Sequence, residues 1–123
     1  MAESLTPGMS HVVTATVSAE HSPQHLAPIV VLSTPHMISL MEEAATHAVQ
    51  PALEATDQTT VGTHVDVSHE SAARDGEELS VEAELTAVDG ARLTFRVEAR
   101  VGDRIIGRGT HRRYVIDRSR FAG

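Results

Sequence analysis

Two turn signals, Asp89-Gly90 and Gly102-Asp103, cut the last third of this chain into three segments that alternate apolar and polar residues. Such dipeptides favour the backbone geometry of a two-residue hairpin. Before the first turn, Leu79, Val81, Ala83, Leu85 and Ala87 interleave with Ser80, Glu82, Glu84 and Thr86. Between the turns, Leu93, Phe95, Val97, Ala99 and Val101 interleave with Arg92, Thr94, Arg96, Glu98 and Arg100. A third strand is expected from about Arg104 to Ile116. Period-two alternation sends one residue class to each face. The three segments therefore predict an antiparallel meander with one greasy face. On its polar face Glu82 and Glu84 lie near Arg92, Arg96 and Arg100, so cross-strand pairing accounts for many of the charges.

A greasy sheet face must be covered. The chain supplies a cover in the segment from Ser33 to Ala45 and the turns that follow it. Thr34 is the expected N-cap and Pro35 the first helical residue. The helix is expected to reach about Val49, because Pro51 cannot continue it comfortably. At about 100° per residue, Met37, Ile38, Met41, Ala44, Ala45, Ala48 and Val49 form one broad apolar arc, with Leu40 at its margin. Glu42 sits at the edge of that arc and Glu43 nearly opposite its centre. A carboxylate is costly to bury unless it is paired or used. Glu42 is therefore the candidate functional acid, and Glu43 the solvated one.

Upstream, His11 to Ser18 read as a strand with Val13, Ala15 and Val17 on one face. Glu20 to Pro28 read as a loop, and Val30 to Leu32 form a short apolar stretch. After the helix, Val61, Thr63, Val65, Val67 and His69 share a strand face. The expected architecture is α+β, an antiparallel sheet of about five strands curved around a central helix. A chain of 123 residues has room for one such core. Residues 1–123 are expected to be a single domain, with 1–10 frayed and flexible.

Composition removes several function classes. A formal net charge of −7 disfavours nucleic acid and anionic membrane as partners. Aromatic residues are 2% of the chain, too few for base-stacking platforms. All ten basic side chains apart from His are Arg, from Arg74 onward. They read as a solvated sheet face or as an Arg-lined surface for a phosphorylated ligand. The absence of cysteine excludes a disulfide framework, a thiol nucleophile and thiolate metal sites. Met1 to Met9 lack the features of a signal peptide and no apolar run is long enough to span a membrane, so the cytoplasm is the expected location. His21 and His25 lie in a Pro-containing loop, and His64 and His69 lie on opposite strand faces. His69-Glu70 begins like a zinc-protease helix, but Ala73 stands where the second His would be. No metal is expected. There is no phosphate loop, dinucleotide fingerprint or Gly-x-Ser-x-Gly elbow, and no cofactor is expected.

Thr34, Glu42 and His69 remain. Each alone has an ordinary explanation: an N-cap, a partner for an Arg, a structural imidazole. Together they are the hydroxyl, carboxylate and imidazole that acyl transfer needs to move a proton and to attack or position water. Thr34 and Glu42 are eight residues apart, roughly 12 Å along a helix. Helical side chains lean toward the N-terminus and shorten that gap. Direct contact still looks marginal, so a water, a substrate or a second chain has to complete the site. Gly107 and Gly109 in the last strand suggest either a kink with close backbone approach or room for a ligand beside Arg113, which could hold a phosphate.

These residues together resemble the hotdog-fold thioesterases, most closely the fluoroacetyl-CoA thioesterase group, over roughly residues 7 to 121. The resemblance is carried by Thr34 and Glu42 within Thr-x-x-x-x-x-Leu-Met-Glu, by Gly62, by His69 at its strand end, and by Gly-x-Gly-Thr-His-x-Arg at 107–113. It implies a hotdog fold and a homodimer whose helices are wrapped by a continuous sheet, with active sites at the subunit interface. It implies Thr34, Glu42 and His69 as the catalytic set, Gly62 lining the site and Arg113 helping to hold the substrate. The activity it implies is hydrolysis of a small acyl-CoA thioester to free acid and CoA. Non-catalytic acyl-CoA binding, and hydration or dehydration of an acyl thioester on the same fold, are the alternatives. In fluoroacetyl-specific members the segment before the helix forms an aromatic-bearing lid. Here Ser18 to Ser33 is short and has no aromatic residue.

Overall fold

The computed structural model describes residues 4–122. Strand β1 (Ser10–Thr16) leads through two short 3-10 turns to helix α1 (Thr34–Leu53). Strands β2 (Gln58–His69), β3 (Glu78–Asp89), β4 (Arg92–Val101) and β5 (Arg104–Asp117) follow, and a short helix α2 (Arg118–Ala122) ends the chain. The sheet order is β1-β3-β4-β5-β2, and every neighbouring pair is antiparallel. The expected meander is β3-β4-β5. Strand β1 adds to one side and β2 to the other, so those two are the edges.

The apolar faces meet as the alternation requires. Leu79, Val81, Ala83 and Leu85 of β3 and Leu93, Phe95, Val97 and Ala99 of β4 are buried against Met37, Met41, Ala44, Ala45, Ala48 and Val49 of α1. Glu42 is half-buried and Glu43 exposed, as the helical wheel predicts. On the outer face Arg96 bonds Glu82 and Glu84 and lies 3.5 Å from Glu98, while Arg100 also pairs with Glu98.

Four details differ from the expectations. Helix α1 passes through Pro51 and ends at Leu53. Proline removes one hydrogen bond close to the end of the helix, and Leu53 is buried one turn beyond Val49. Its N-cap is Ser33, whose Oγ accepts from His36 N at 3.2 Å, so Thr34 is the first helical residue. Residues 4–10 are not frayed: Leu5 is buried, Gly8 N donates to Leu85 O, and Leu85 N donates to Met9 O. Residues 1–3 lie outside the described part. The first hairpin turns on Gly90-Ala91, with Asp89 opposite Arg92 and Gly90 at φ +59°.

Bulges account for the remaining differences. At Thr86 the register slips, so Val88 faces inward opposite Leu93 and Ala87 is exposed. At Thr63 the register slips between Gly62 and His64. An extra residue reverses parity along a strand. Thr60 and Gly62 therefore share the inner face with Val65, Val67 and His69, while Val61 and Thr63 do not.

Candidate active site

The start of α1 brings a hydroxyl and an imidazole together. Because Ser33 caps the helix, the Thr34 hydroxyl is free, and its Oγ1 lies 2.8 Å from His69 Nδ1. His69 is the last residue of β2, opposite Gly107 of β5. Beyond it, Glu70 N and Ser71 N both donate to Ile106 O, at 2.6 and 3.2 Å, which fixes the strand end. Gly107 does not leave room for a ligand. A Cβ there would lie 2.7 Å from Ser68 O and 2.5 Å from Met37 Sδ, so the glycine admits the side chain of Met37. Of the two sequence readings of these glycines, the structure has the close approach. A cavity of about 310 Å³ adjoins His69 and is bordered by Val31, Leu32 and Glu70 to Ala72.

Two turns further along α1, Glu42 has its own surroundings. Thr34, Ile38 and Glu42 recur every fourth residue and so form one stripe on the helix. Gly62 on β2 makes room for the acid, since a Cβ there would lie 2.7 Å from Glu42 Oε2. The same point lies 3.3 Å from His111 Cε1 and 3.4 Å from Arg113 Nη1. Glu42, His111 and Arg113 thus converge over Gly62, held by α1 and β5. The Thr63 bulge aims Gly62 there.

His111 and Arg113 are 1% and 7% exposed, both on the inner face of β5. Arg113 donates from Nε to Thr60 Oγ1 at 2.7 Å and from Nη2 to Thr60 O at 3.0 Å. Its Nη1 lies 3.2 Å from His111 Nε2, and His111 Nδ1 lies 2.8 Å from His64 O. Burial pushes the Arg113 guanidinium below its usual range, opposed by the charge of Glu42. Burial also lowers the His111 imidazole. The bond to the His64 carbonyl opposes that, Arg113 adds to it, Glu42 opposes it, and His64 adds to it.

The structure therefore joins Thr34 to His69 directly, and joins Glu42 to Gly62 and Arg113 as a second cluster on the same helix stripe. His111 was given no role from sequence, although it stands in the Gly-x-Gly-Thr-His-x-Arg motif two residues before Arg113, on the same strand face. The other arginines mostly serve the polar surface: Arg104 pairs with Glu77, and Arg108 with Glu70. Among the described residues no three metal-ligating side chains gather, and no helix is long and apolar enough to cross a membrane.

An antiparallel sheet wrapped around one long helix defines a class of fold. A hot-dog-like protein from Thermanaerovibrio acidaminovorans shares the fold with a TM-score of 0.86 at 18% identity, over 98% of this chain and 90% of its own. The fluoroacetyl-CoA thioesterase FlK superimposes with a TM-score of 0.85 at 34% identity, covering 96% of this chain and 93% of that one. Variants of that enzyme have been seen with acetyl-CoA and with fluoroacetate and CoA. The fold is the hotdog fold of thioesterases. More narrowly, residues 13–119 match the family model of the fluoroacetyl-CoA-specific thioesterase, and the chain belongs to that family. The fluoroacetyl-CoA thioesterase of Streptantibioticus cattleyicolor is 42% identical over 91 residues, which are 74% of this chain and 65% of that relative.

Proposed function

We propose that this protein hydrolyses a small acyl-CoA thioester to the free acid and CoA, as a homodimer, with Thr34, Glu42 and His69 as its catalytic residues. The observation that carries the proposal is the 2.8 Å contact of Thr34 Oγ1 with His69 Nδ1 at the start of a helix whose next polar stripe residue is Glu42. Family membership and the relative bound to acetyl-CoA support the substrate class.

In the proposed reaction the thioester carbonyl lies at the mouth of α1. Glu42 attacks it, or removes a proton from the water that does. Thr34, bonded to His69, holds that water or attacks in its place. Negative charge develops on the carbonyl oxygen, and the N-terminus of a 20-residue helix stabilises it. The new C–O bond replaces the C–S bond, and the proton taken from water leaves with the thiolate, a transfer that His69 assists. Gly62 lines the site, and Arg113 contributes a fixed cation toward the CoA-linked substrate.

The dimer answers a question of distance. Two turns of helix separate Thr34 from Glu42, on the order of 12 Å, and a cleft between two copies would narrow what one chain leaves open. Strand β2 is the proposed seam. It bonds β5 on one side only, and Thr63, His64, Val65 and Asp66 are exposed. A free strand edge is a template for pairing with another strand. The deciding experiment is thiol release from a panel of short acyl-CoA esters, with wild type and Thr34→Ala. Release by wild type and its loss in the variant support the proposal. CoA-ester binding without release from any ester favours the binding module, and a change in enoyl absorbance without release favours hydration.

A further inference from the structure

We propose that His111 is a positioning residue: its neutral ring holds the Arg113 guanidinium so that an N–H of that group faces the space over Gly62, beside the Glu42 carboxylate. The inference deepens the proposed function, because it names what aims the cation of that site.

Hydrogen-bond chemistry fixes the ring state. The His64 carbonyl can only accept, so His111 Nδ1 must carry the hydrogen in that 2.8 Å bond. The Arg113 guanidinium can only donate, so His111 Nε2 must be the acceptor at 3.2 Å. One imidazole satisfies both partners only as the neutral Nδ1–H form. A protonated ring would turn an N–H toward a guanidinium N–H, cation against cation. The charged groups facing the ring are Arg113 beside it on β5, Glu42 from α1 and the titratable His64 from β2, while Phe95 of β4 stacks at 6.2 Å between ring centres. Burial favours the neutral form in these surroundings.

The grip on Arg113 is two-sided. Thr60 takes Nε–H and one Nη2 hydrogen, which fixes one edge of the planar group. His111 takes one Nη1 hydrogen and fixes the other. Each Nη nitrogen carries a second hydrogen that no described protein atom accepts. Nη1 lies 3.4 Å from the point where a Gly62 Cβ would stand. A buried guanidinium with all but those hydrogens engaged is an oriented donor for an anionic or carbonyl oxygen. Without His111 the Nη1 end would hang from one edge.

Four variants and one spectrum test this. In acyl-CoA hydrolysis, His111→Leu should raise KM about tenfold while kcat stays within about threefold, the signature of lost substrate holding. His111→Gln, whose amide can donate to His64 and accept from Arg113, should bring KM back to within about threefold of wild type. The double variant with Arg113→Lys should be no worse than Arg113→Lys alone, because both act through one group. A folded His111→Leu enzyme with unchanged KM, or additive effects in the double variant, overturns the proposal. The spectrum needs no substrate and no variant: long-range proton–nitrogen NMR of wild type at neutral pH should show His111 as the Nδ1–H tautomer. An Nε2–H or cationic ring there also overturns the proposal. A wild type that releases no thiol while its ring shows the expected tautomer sinks the thioesterase proposal and leaves the His111 assignment standing.

Discussion

Arg96 and Arg113 lie on adjacent strands of one sheet and point to opposite faces. Arg96 is on the outer face with its side chain 41% exposed, and carboxylates of Glu82, Glu84 and Glu98 lie within 3.5 Å of it. Its hydrogen bond to Glu82 raises its proton affinity further. Arg113 is 7% exposed, its hydrogen-bond partners are a hydroxyl, a carbonyl and a neutral imidazole, and burial lowers its proton affinity. The outer arginine is surrounded by its own counter-charges and has little to offer a ligand. The inner one is fixed in place yet keeps donors to spare beside an acid. On this sheet, the proposed site lies where a charge has been buried without full compensation.

That contrast can be broken at several points. The largest expected effect is at Glu42. Replacing it with Gln keeps the shape and removes the base, and turnover of an acyl-CoA should fall on the order of 10³-fold in a thiol-release assay. Next is His69→Ala, which strips Thr34 of its partner and should cost about 10²-fold in kcat. Gly62→Ala places a methyl 2.7 Å from Glu42 Oε2. The carboxylate can swing away, so folding should persist while kcat drops about tenfold by misplacement alone. A thermal midpoint measured beside the rate separates the two effects.

A fourth test uses pH. His111 binds its proton less readily in the folded chain than at its ordinary value of 6.5. Below that pH the unfolded chain takes up a proton that the folded ring does not. The contribution is therefore fully present above pH 6.5 and is lost as pH falls toward the folded-state value. Urea denaturation of wild type should show stability declining through that window by at most about 1.4 kcal/mol per pH unit from this group, and His111→Gln should flatten the decline. The smallest effect is on the outer face. Arg96→Ala should change stability by no more than about 1 kcal/mol, because the side chain is well solvated, and should leave hydrolysis unchanged. A larger loss of rate there than at Arg113 would invert the comparison.

The meander and the buried helix were legible because alternation and helical periodicity are dense in this chain. The hotdog assignment was legible because Thr34, Glu42, Gly62, His69 and Arg113 fall in one order along it. What escaped was parity and competition. Thr34 and Ser33 are both good caps, and only the fold shows that Ser33 takes the cap and frees Thr34 for His69. The bulge at Thr63 carries no distinct signal, yet it turns Thr60 and Gly62 inward, and without it Arg113 would lose the Thr60 hydroxyl. His111 could have been found by counting in twos from Arg113 along β5. Pro51 misled because its cost is small when the helix has almost ended and Leu53 still has a place in the core.

The most direct test of the whole account is single-turnover thiol release from acetyl-CoA by wild type and by Glu42→Gln, with the oligomeric state of both measured in the same buffer. The account expects a dimer in both cases, rapid release by wild type and almost none by the variant. Equal rates from the two proteins would contradict it, because the acid over Gly62 would then take no part in the reaction.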